Sequence, residues 1–205
     1  MKTLYFIRHA QSEANVNAIL ASQLDFPLSE VGRKDAIQIA MKLPKVANID
    51  CIISSPLIRA METASPIAKQ FNIPIEIDER IIEQDLGIFS GMSYKELEHR
   101  DDYMHDRSSR WNWEPKGGES YEMVSARVAS FFRGLDEMDF QSILCVTHAV
   151  TMRLIKAQLQ KTLPKYPLAL AQNGEMWKCE WNGFNTTGGI TSFFLNDKRE
   201  SKSRA

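Results

Sequence analysis

The chain's 205 residues, 43% of them hydrophobic, suffice for one sizeable core, and a single domain over 1–205 is expected. Lys plus Arg number 25 against 26 Asp plus Glu, a near-neutral balance that argues against nucleic acid or an anionic membrane as partner and points to a small ligand. The opening MKTLYFIRHA has only four consecutive apolar residues before Arg8, too few for a signal-peptide core or a membrane span. Cys51, Cys145 and Cys179 lack C-x-x-C spacing and two of them fall in apolar runs, as expected of reduced, buried thiols in a cytoplasmic protein.

In chain order, residues 4–7 read as a short buried strand. Ser29 has the side chain of a helix N-cap, and its helix is expected to run to about residue 43, where Pro44 stops it. Cys51, Ile52 and Ile53 form the next strand, closed by Ser54-Ser55-Pro56 and followed by a helix through Arg59, Thr63 and Ala68. Residues 73–77 alternate like an edge strand, since Pro74 argues against a central place. The charged and aromatic stretch after Tyr94 leaves the core's periodicity, which predicts a short cap insertion over about 92–118.

Helical spacing returns between residues 120 and 138 through Val124, Val128, Phe131, Phe132 and Leu135. An apolar strand at 142–146 ends on Thr147-His148, and a helix from 150 to about 159 follows. Strands are expected at 175–181 and 190–195, and a frayed polar tail at about 197–205. Apolar strands alternating with helices predict an α/β fold, a three-layer α/β/α arrangement around a mostly parallel sheet.

Three of these strands end on polar groups: Arg8-His9, then Ser54-Ser55 with Arg59 shortly after, and Thr147-His148. In an open α/β sheet the carboxyl ends of the strands share one edge, and ligands bind there. Any one of these residues is more simply a strand-end group held by a local hydrogen bond. Two of only four histidines directly after separate core strands is a stronger signal.

Guanidinium forks suit phosphate or carboxylate oxygens. A neutral imidazole among cations is a competent nucleophile toward phosphorus, which gives His9 a role that a carboxylate ligand would not use. His9 and His148 lack the partner spacing of a metal site, and Arg8 would repel a dication, so neither metal nor other cofactor is expected. His99 and His105 are expected to face solvent. Gly87 and Gly91 allow turns that would present Glu83 to the cleft as a general acid, although alone the segment reads as a turn with a solvated carboxylate.

Together these residues resemble the histidine phosphatase superfamily, in its phosphoglycerate-mutase-like branch. Arg8-His9-Ala10-Gln11-Ser12-Glu13-Ala14-Asn15 is similar to R-H-G-[EQ]-[ST]-x-x-N, and Asp25-Phe26-Pro27-Leu28-Ser29-Glu30-Val31-Gly32 to D-x-P-L-[ST]-x-x-G. Ser54-Ser55-Pro56-Leu57-Ile58-Arg59-Ala60-Met61-Glu62-Thr63-Ala64 resembles S-S-x-x-x-R-A-x-x-T-A, and Glu83, Gly87 and Gly91 resemble E-x-x-x-G-x-x-x-G. Gly117-Gly118-Glu119-Ser120 and Val146-Thr147-His148-Ala149 match G-G-E-S and V-[ST]-H-[GA]. The resemblance implies that His9 is phosphorylated, that Arg8, Arg59 and His148 clamp the phosphoryl group, that Asn15 supports that pocket, and that Glu83 is the proton donor and later the base.

Two positions depart from the pattern. Ala10 replaces a glycine, a change expected to be tolerated if φ there is negative. Ala21-Ser22 stands where many members place a polar residue and a glycine whose amide touches phosphate, so neither residue is assigned a contact.

Only about 25 residues separate Gly91 from Gly117, and a short cap favours a phosphatase over a mutase within the family. The expected substrate is a small phosphorylated metabolite, such as a sugar, a sugar acid or a nucleoside-like monoester. In the cap, Arg107 and Arg110 could grip a second anion while Trp111 and Trp113 stack on substrate, or the tryptophans simply pin the loop. Rival readings are phosphoglycerate mutase-type transfer, a non-catalytic phosphate-binding module and a Rossmann domain, the last opposed by the lack of G-x-G-x-x-G after the first strand. The late strands could offer an edge for a homodimer.

Overall fold

A computed structural model describes residues 1–183 and 189–195. In chain order the elements are β1 (Lys2–Arg8), α1 (Glu13–Val16), α2 (Glu30–Lys42), β2 (Cys51–Ser54), α3 (Ile58–Phe71), β3 (Ile75–Ile77), α4 (Tyr94–Leu97), α5 (Tyr121–Glu137), β4 (Ser142–Thr147), α6 (Ala149–Leu159), β5 (Met176–Trp181) and β6 (Ile190–Phe193). Six strands make one sheet in the order β3-β2-β4-β1-β5-β6. The pairs β1/β4, β2/β4 and β2/β3 are parallel, whereas β1/β5 and β5/β6 are antiparallel.

Side chains of the central strands alternate between two cores, as a period of two requires. Leu4, Phe6, Cys51, Ile53, Ile143 and Cys145 face a cluster built with Val128, Phe131, Phe132 and Met152 of α5 and α6. Tyr5, Ile7, Ile52, Leu144 and Val146 face the opposite cluster, with Ile39 of α2 and Ile67 of α3. Both faces are covered, which explains why these strands read as unbroken apolar runs. Each fully buried aliphatic or aromatic side chain contributes about 1.5–3 kcal/mol over its exposed state.

Local signals acted as their chemistry dictates. The Ser29 hydroxyl accepts the Gly32 N–H at 3.0 Å and caps α2, which tightens into a 3-10 turn at Leu43–Lys45 around Pro44. Pro74 precedes β3, an edge strand. The expected strand at 190–195 is shorter, ending at Phe193, and the tail at 197–205 lies outside the described residues. Cys51, Cys145 and Cys179 are buried and free, and burial pushes the thiols of Cys51 and Cys179 up to about 12. His99 and His105 are exposed.

Candidate active site

Because β4 lies between β2 and β1, the carboxyl ends of all three strands meet. Arg8 pairs with Thr147 in the β1/β4 ladder, so His9 and His148 leave neighbouring strands at the same level. Their ring centroids are 5.2 Å apart. The His9 N–H donates to the Thr147 carbonyl at 2.9 Å and the Ser55 N–H to Val146 at 3.0 Å, extending the ladder past the strand ends.

His9 Nδ1 lies 2.7 Å from the Ala10 carbonyl oxygen. A carbonyl only accepts, so Nδ1 carries the proton and Nε2 keeps its lone pair. Burial first, then the charges of Arg8 and Arg59, push His9 well below its usual value and keep the ring neutral. His148 is driven the same way by burial, then by Arg59, His9 and Arg8. Its Nε2 lies 2.7 Å from Ser55 Oγ, while its buried Nδ1 has no hydrogen-bond partner among the described residues.

The arginines are held by backbone carbonyls. Arg59 is fully buried, and its Nη1 donates to Leu24 at 2.8 Å and its Nη2 to Ser22 at 2.6 Å. Burial lowers its pKa, with the charges of Glu83 and Asp25 opposing that shift. Arg8 Nη1 donates to the Ala171 carbonyl at 2.7 Å. Asn15 completes a capping box with Ser12, and its Oδ1 accepts from Asn173 Nδ2 at 3.0 Å.

Glu83 projects onto the first turn of α6, where its carboxylate accepts the Val150 N–H at 3.2 Å and the Thr151 N–H at 3.2 Å. The loop carrying it is locked from behind by Arg127. That guanidinium pairs with Glu119 at 3.0 Å and donates to the carbonyls of Arg80, Ile82 and Glu83. Glycine is needed at this junction. A Cβ on Gly87, whose φ is +51°, would lie 2.1 Å from the Lys116 carbonyl oxygen, and one on Gly118 would lie 2.6 Å from that of Asp85. The E-x-x-x-G and G-G-E-S segments therefore pack directly on each other.

These groups enclose a cavity of about 100 Å³ whose wall includes Arg8, His9, Asn15, Arg59 and Glu83. His148 is fully buried, with its ring beside that of His9. Arg107 and Arg110 reach the cavity, but Trp111 stacks on Tyr166 and Trp113 packs on Phe89 and Tyr103, so the tryptophans pin the cap. Tyr94, Tyr103, Tyr121 and Arg153 also line it, none of them singled out by sequence reasoning. Arg153 carried no signal in the sequence, because only the structure shows its helix buried on nearly every side. Among the described residues, no three His, Cys, Asp or Glu side chains gather as a metal site would require.

The family model for the histidine phosphatase superfamily (branch 1) matches residues 4–189, spanning every group just described. The chain belongs to that superfamily. Phosphoserine phosphatase 1 of Hydrogenobacter thermophilus is 37% identical over 165 residues, covering 78% of this chain and 76% of its own length. Glucosyl-3-phosphoglycerate phosphatase of Mycobacterium tuberculosis is 29% identical over 191 residues, covering 86% and 83%. Among solved structures, Bacillus stearothermophilus YhfR superposes with a TM-score of 0.82 at 26% identity, covering 93% of this chain and 96% of that one.

The departures from the histidine phosphatase pattern are resolved locally. Ala10 does not adopt positive φ, and its N–H donates to Thr63 Oγ1 at 3.0 Å, so its methyl is accommodated as expected. Ser22 does take the left-handed conformation, at φ +51°. Its hydroxyl offsets that cost by donating to the Gln84 carbonyl at 3.1 Å and accepting the Leu86 N–H at 2.8 Å.

Proposed function

We propose that this chain is a metal-independent phosphomonoesterase for small phosphorylated metabolites, working through a phosphohistidine. The observation that carries the reading is the neutral His9 ring with Nδ1 committed to Ala10 and Nε2 left for attack, in a cavity also lined by Arg8 and Arg59. His9 Nε2 forms a bond to phosphorus as the ester P–O bond breaks, and the guanidinium groups balance charge on the equatorial oxygens. Glu83 donates its proton to the departing alkoxide, then takes one from the water that cleaves the P–N bond and releases inorganic phosphate. Asn15 and Ser12 shape the wall beside His9, and His148, whose ring lies 5.2 Å from that of His9, joins the arginines in clamping the phosphoryl group.

The short cap supports hydrolysis over return of the phosphoryl group to a bound sugar acid. Three buried cysteines without disulfides support a cytoplasmic location, and among the described residues no helix is long and apolar enough to cross a membrane. The deciding experiment is hydrolysis of p-nitrophenyl phosphate with chelator present, beside rapid quench into alkali to trap labelled phosphohistidine. Turnover with label on wild type and neither on His9→Ala is expected. Full activity in His9→Ala, or isomerisation of 3-phosphoglycerate outpacing phosphate release, would overturn the proposal.

A further inference from the structure

The turn at 172–175 leads into β5 and belongs to none of the motifs that carry the reaction, yet it grips the strand end that bears the nucleophile. The Gly174 N–H donates to the Arg8 carbonyl at 3.0 Å, and the Arg8 N–H donates to the Glu175 carbonyl at 3.1 Å. The Asn173 side chain reaches further. Its Nδ2 donates to the His9 carbonyl at 3.0 Å and to Asn15 Oδ1 at 3.0 Å, and lies 3.4 Å from the Ala10 carbonyl. Peptide carbonyls only accept, so the Asn173 amide must present its NH2 group to these residues.

The turn is closed by its own bonds. The Gln172 N–H donates to Glu175 Oε2 at 2.7 Å, the Glu175 N–H donates to the Gln172 carbonyl at 3.0 Å, and Gly174 takes φ +74°. Trp177 Nε1 and Ser192 Oγ hold the same carboxylate at 2.7 and 2.6 Å. Glycine, serine or aspartate would serve such a turn as well. Only an amide offers two N–H donors that can reach a peptide carbonyl and a side-chain oxygen at once.

Asn15 shows what that reach accomplishes. Its Oδ1 also accepts the Ser12 N–H and the Ser12 hydroxyl, both at 3.0 Å. Three donors on one oxygen prevent the Asn15 amide from turning over. The side left for the cavity, whose wall Asn15 joins, is therefore Nδ2 with its N–H groups. The reverse orientation would set an oxygen lone pair against an anion. Asn173 supplies one of the three donors and also holds the peptide that ends in the Ala10 carbonyl, the acceptor of His9 Nδ1.

We propose that Asn173 is a positioning residue of the phosphoryl pocket: its amide keeps Asn15 turned with N–H groups toward the phosphoryl oxygens and pins the backbone at His9 and Ala10. This rests on the phosphatase reading given above. Asn173 touches no substrate in this role and acts through Asn15 and the nucleophile's own peptide.

The test is a double-mutant cycle on hydrolysis of p-nitrophenyl phosphate, with inorganic phosphate as competitive inhibitor. Asn173→Asp keeps the shape of the side chain and, when ionised, offers no donor. It and Asn173→Ala should each lower kcat/KM by about 10- to 100-fold and weaken inhibition by phosphate in step. Asn15→Ala should cost about tenfold or more in the wild-type background but less than about threefold in either Asn173 variant, because Asn15 is then no longer held. A role confined to the turn predicts losses that simply multiply. Should both Asn173 variants fail to fold, wild type decides by NMR, where inorganic phosphate should shift the side-chain amide signals of Asn15.

Near wild-type kcat/KM in Asn173→Asp, independent losses in the cycle, or Asn15 signals indifferent to phosphate overturn the positioning role. Absence of turnover by wild type, with phosphate still shifting the Asn15 signals, would instead overturn the phosphatase reading, and the cycle would then be completed on phosphate affinity.

Discussion

His9 Nδ1 and the Ala10 carbonyl oxygen stand 2.7 Å apart, so the residue that follows the nucleophile also fixes its tautomer. The same ring is held below the usual histidine value by burial, then by Arg8 and Arg59. Activity should therefore persist as pH falls past about 6.5, the ordinary imidazole value, with the acid limb of kcat/KM displaced further into acid. Arg8→Gln removes one opposing cation and should move that limb to higher pH, along with a loss of about 100-fold or more from the missing phosphoryl contact. A limb that stays in place would show that Arg8 does not act on the ring.

The depressed values of His9 and His148 also enter stability. Below about pH 6.5 the unfolded chain binds protons at these positions that the folded state excludes, so their contribution to stability falls as pH drops toward the folded-state values. His9→Asn should lose less stability than wild type between about pH 7.5 and 5.5 in urea denaturation. An equal loss in both proteins would contradict the buried neutral ring.

Glu83→Gln should separate the two halves of the reaction. Alkyl phosphomonoesters need a proton on the leaving oxygen and should lose about 100- to 10,000-fold in rate. The nitrophenolate of p-nitrophenyl phosphate leaves unprotonated, so a burst of product followed by slow turnover is expected from stopped-flow absorbance. Equal losses for both ester types would remove Glu83 from proton donation.

Arg127 touches no substrate in this account, but it joins Glu119 to the carbonyls preceding and including Glu83. Arg127→Met should cost about 2–3 kcal/mol, because partly buried acceptors and the Glu119 carboxylate lose their partner. It should lower kcat more than it changes KM. Guanidinium denaturation and steady-state kinetics test both halves of that statement.

Gly32 sits in α2 with its Cα against the chain just past the nucleophile, and a Cβ there would fall 1.9 Å from the Gln11 carbonyl oxygen. Gly32→Ala should destabilise by about 1–3 kcal/mol or more and depress activity, since the displaced backbone leads directly to His9. Ile37→Ala, at an exposed position of the same helix, should change the melting temperature far less.

What the sequence disclosed was whatever sits at a strand terminus or repeats at a fixed spacing. Arg8, His9 and Thr147-His148 were legible because apolar runs stop on them, and Ser29 because caps are local. The insertion of β4 between β2 and β1 depends on long-range pairing, and so does the 5.2 Å approach of the His148 ring to that of His9. Arg153 was hidden by its setting, since a cation in a helical stretch reads as a solvated face unless the helix is known to be buried all round. Ser22 was hidden for another reason: nothing in a serine announces a left-handed backbone paid for by its own hydroxyl.

The pairing of Arg8 with Thr147 has one last consequence. If β1 shifted along β4 by a single residue, its alternation would invert, Leu4 and Phe6 would trade cores with Tyr5 and Ile7, and the two imidazoles would separate. Catalysis is thus a proofreader of strand alignment: a misthreaded chain could retain helices and compactness, yet it would be silent toward phosphate esters.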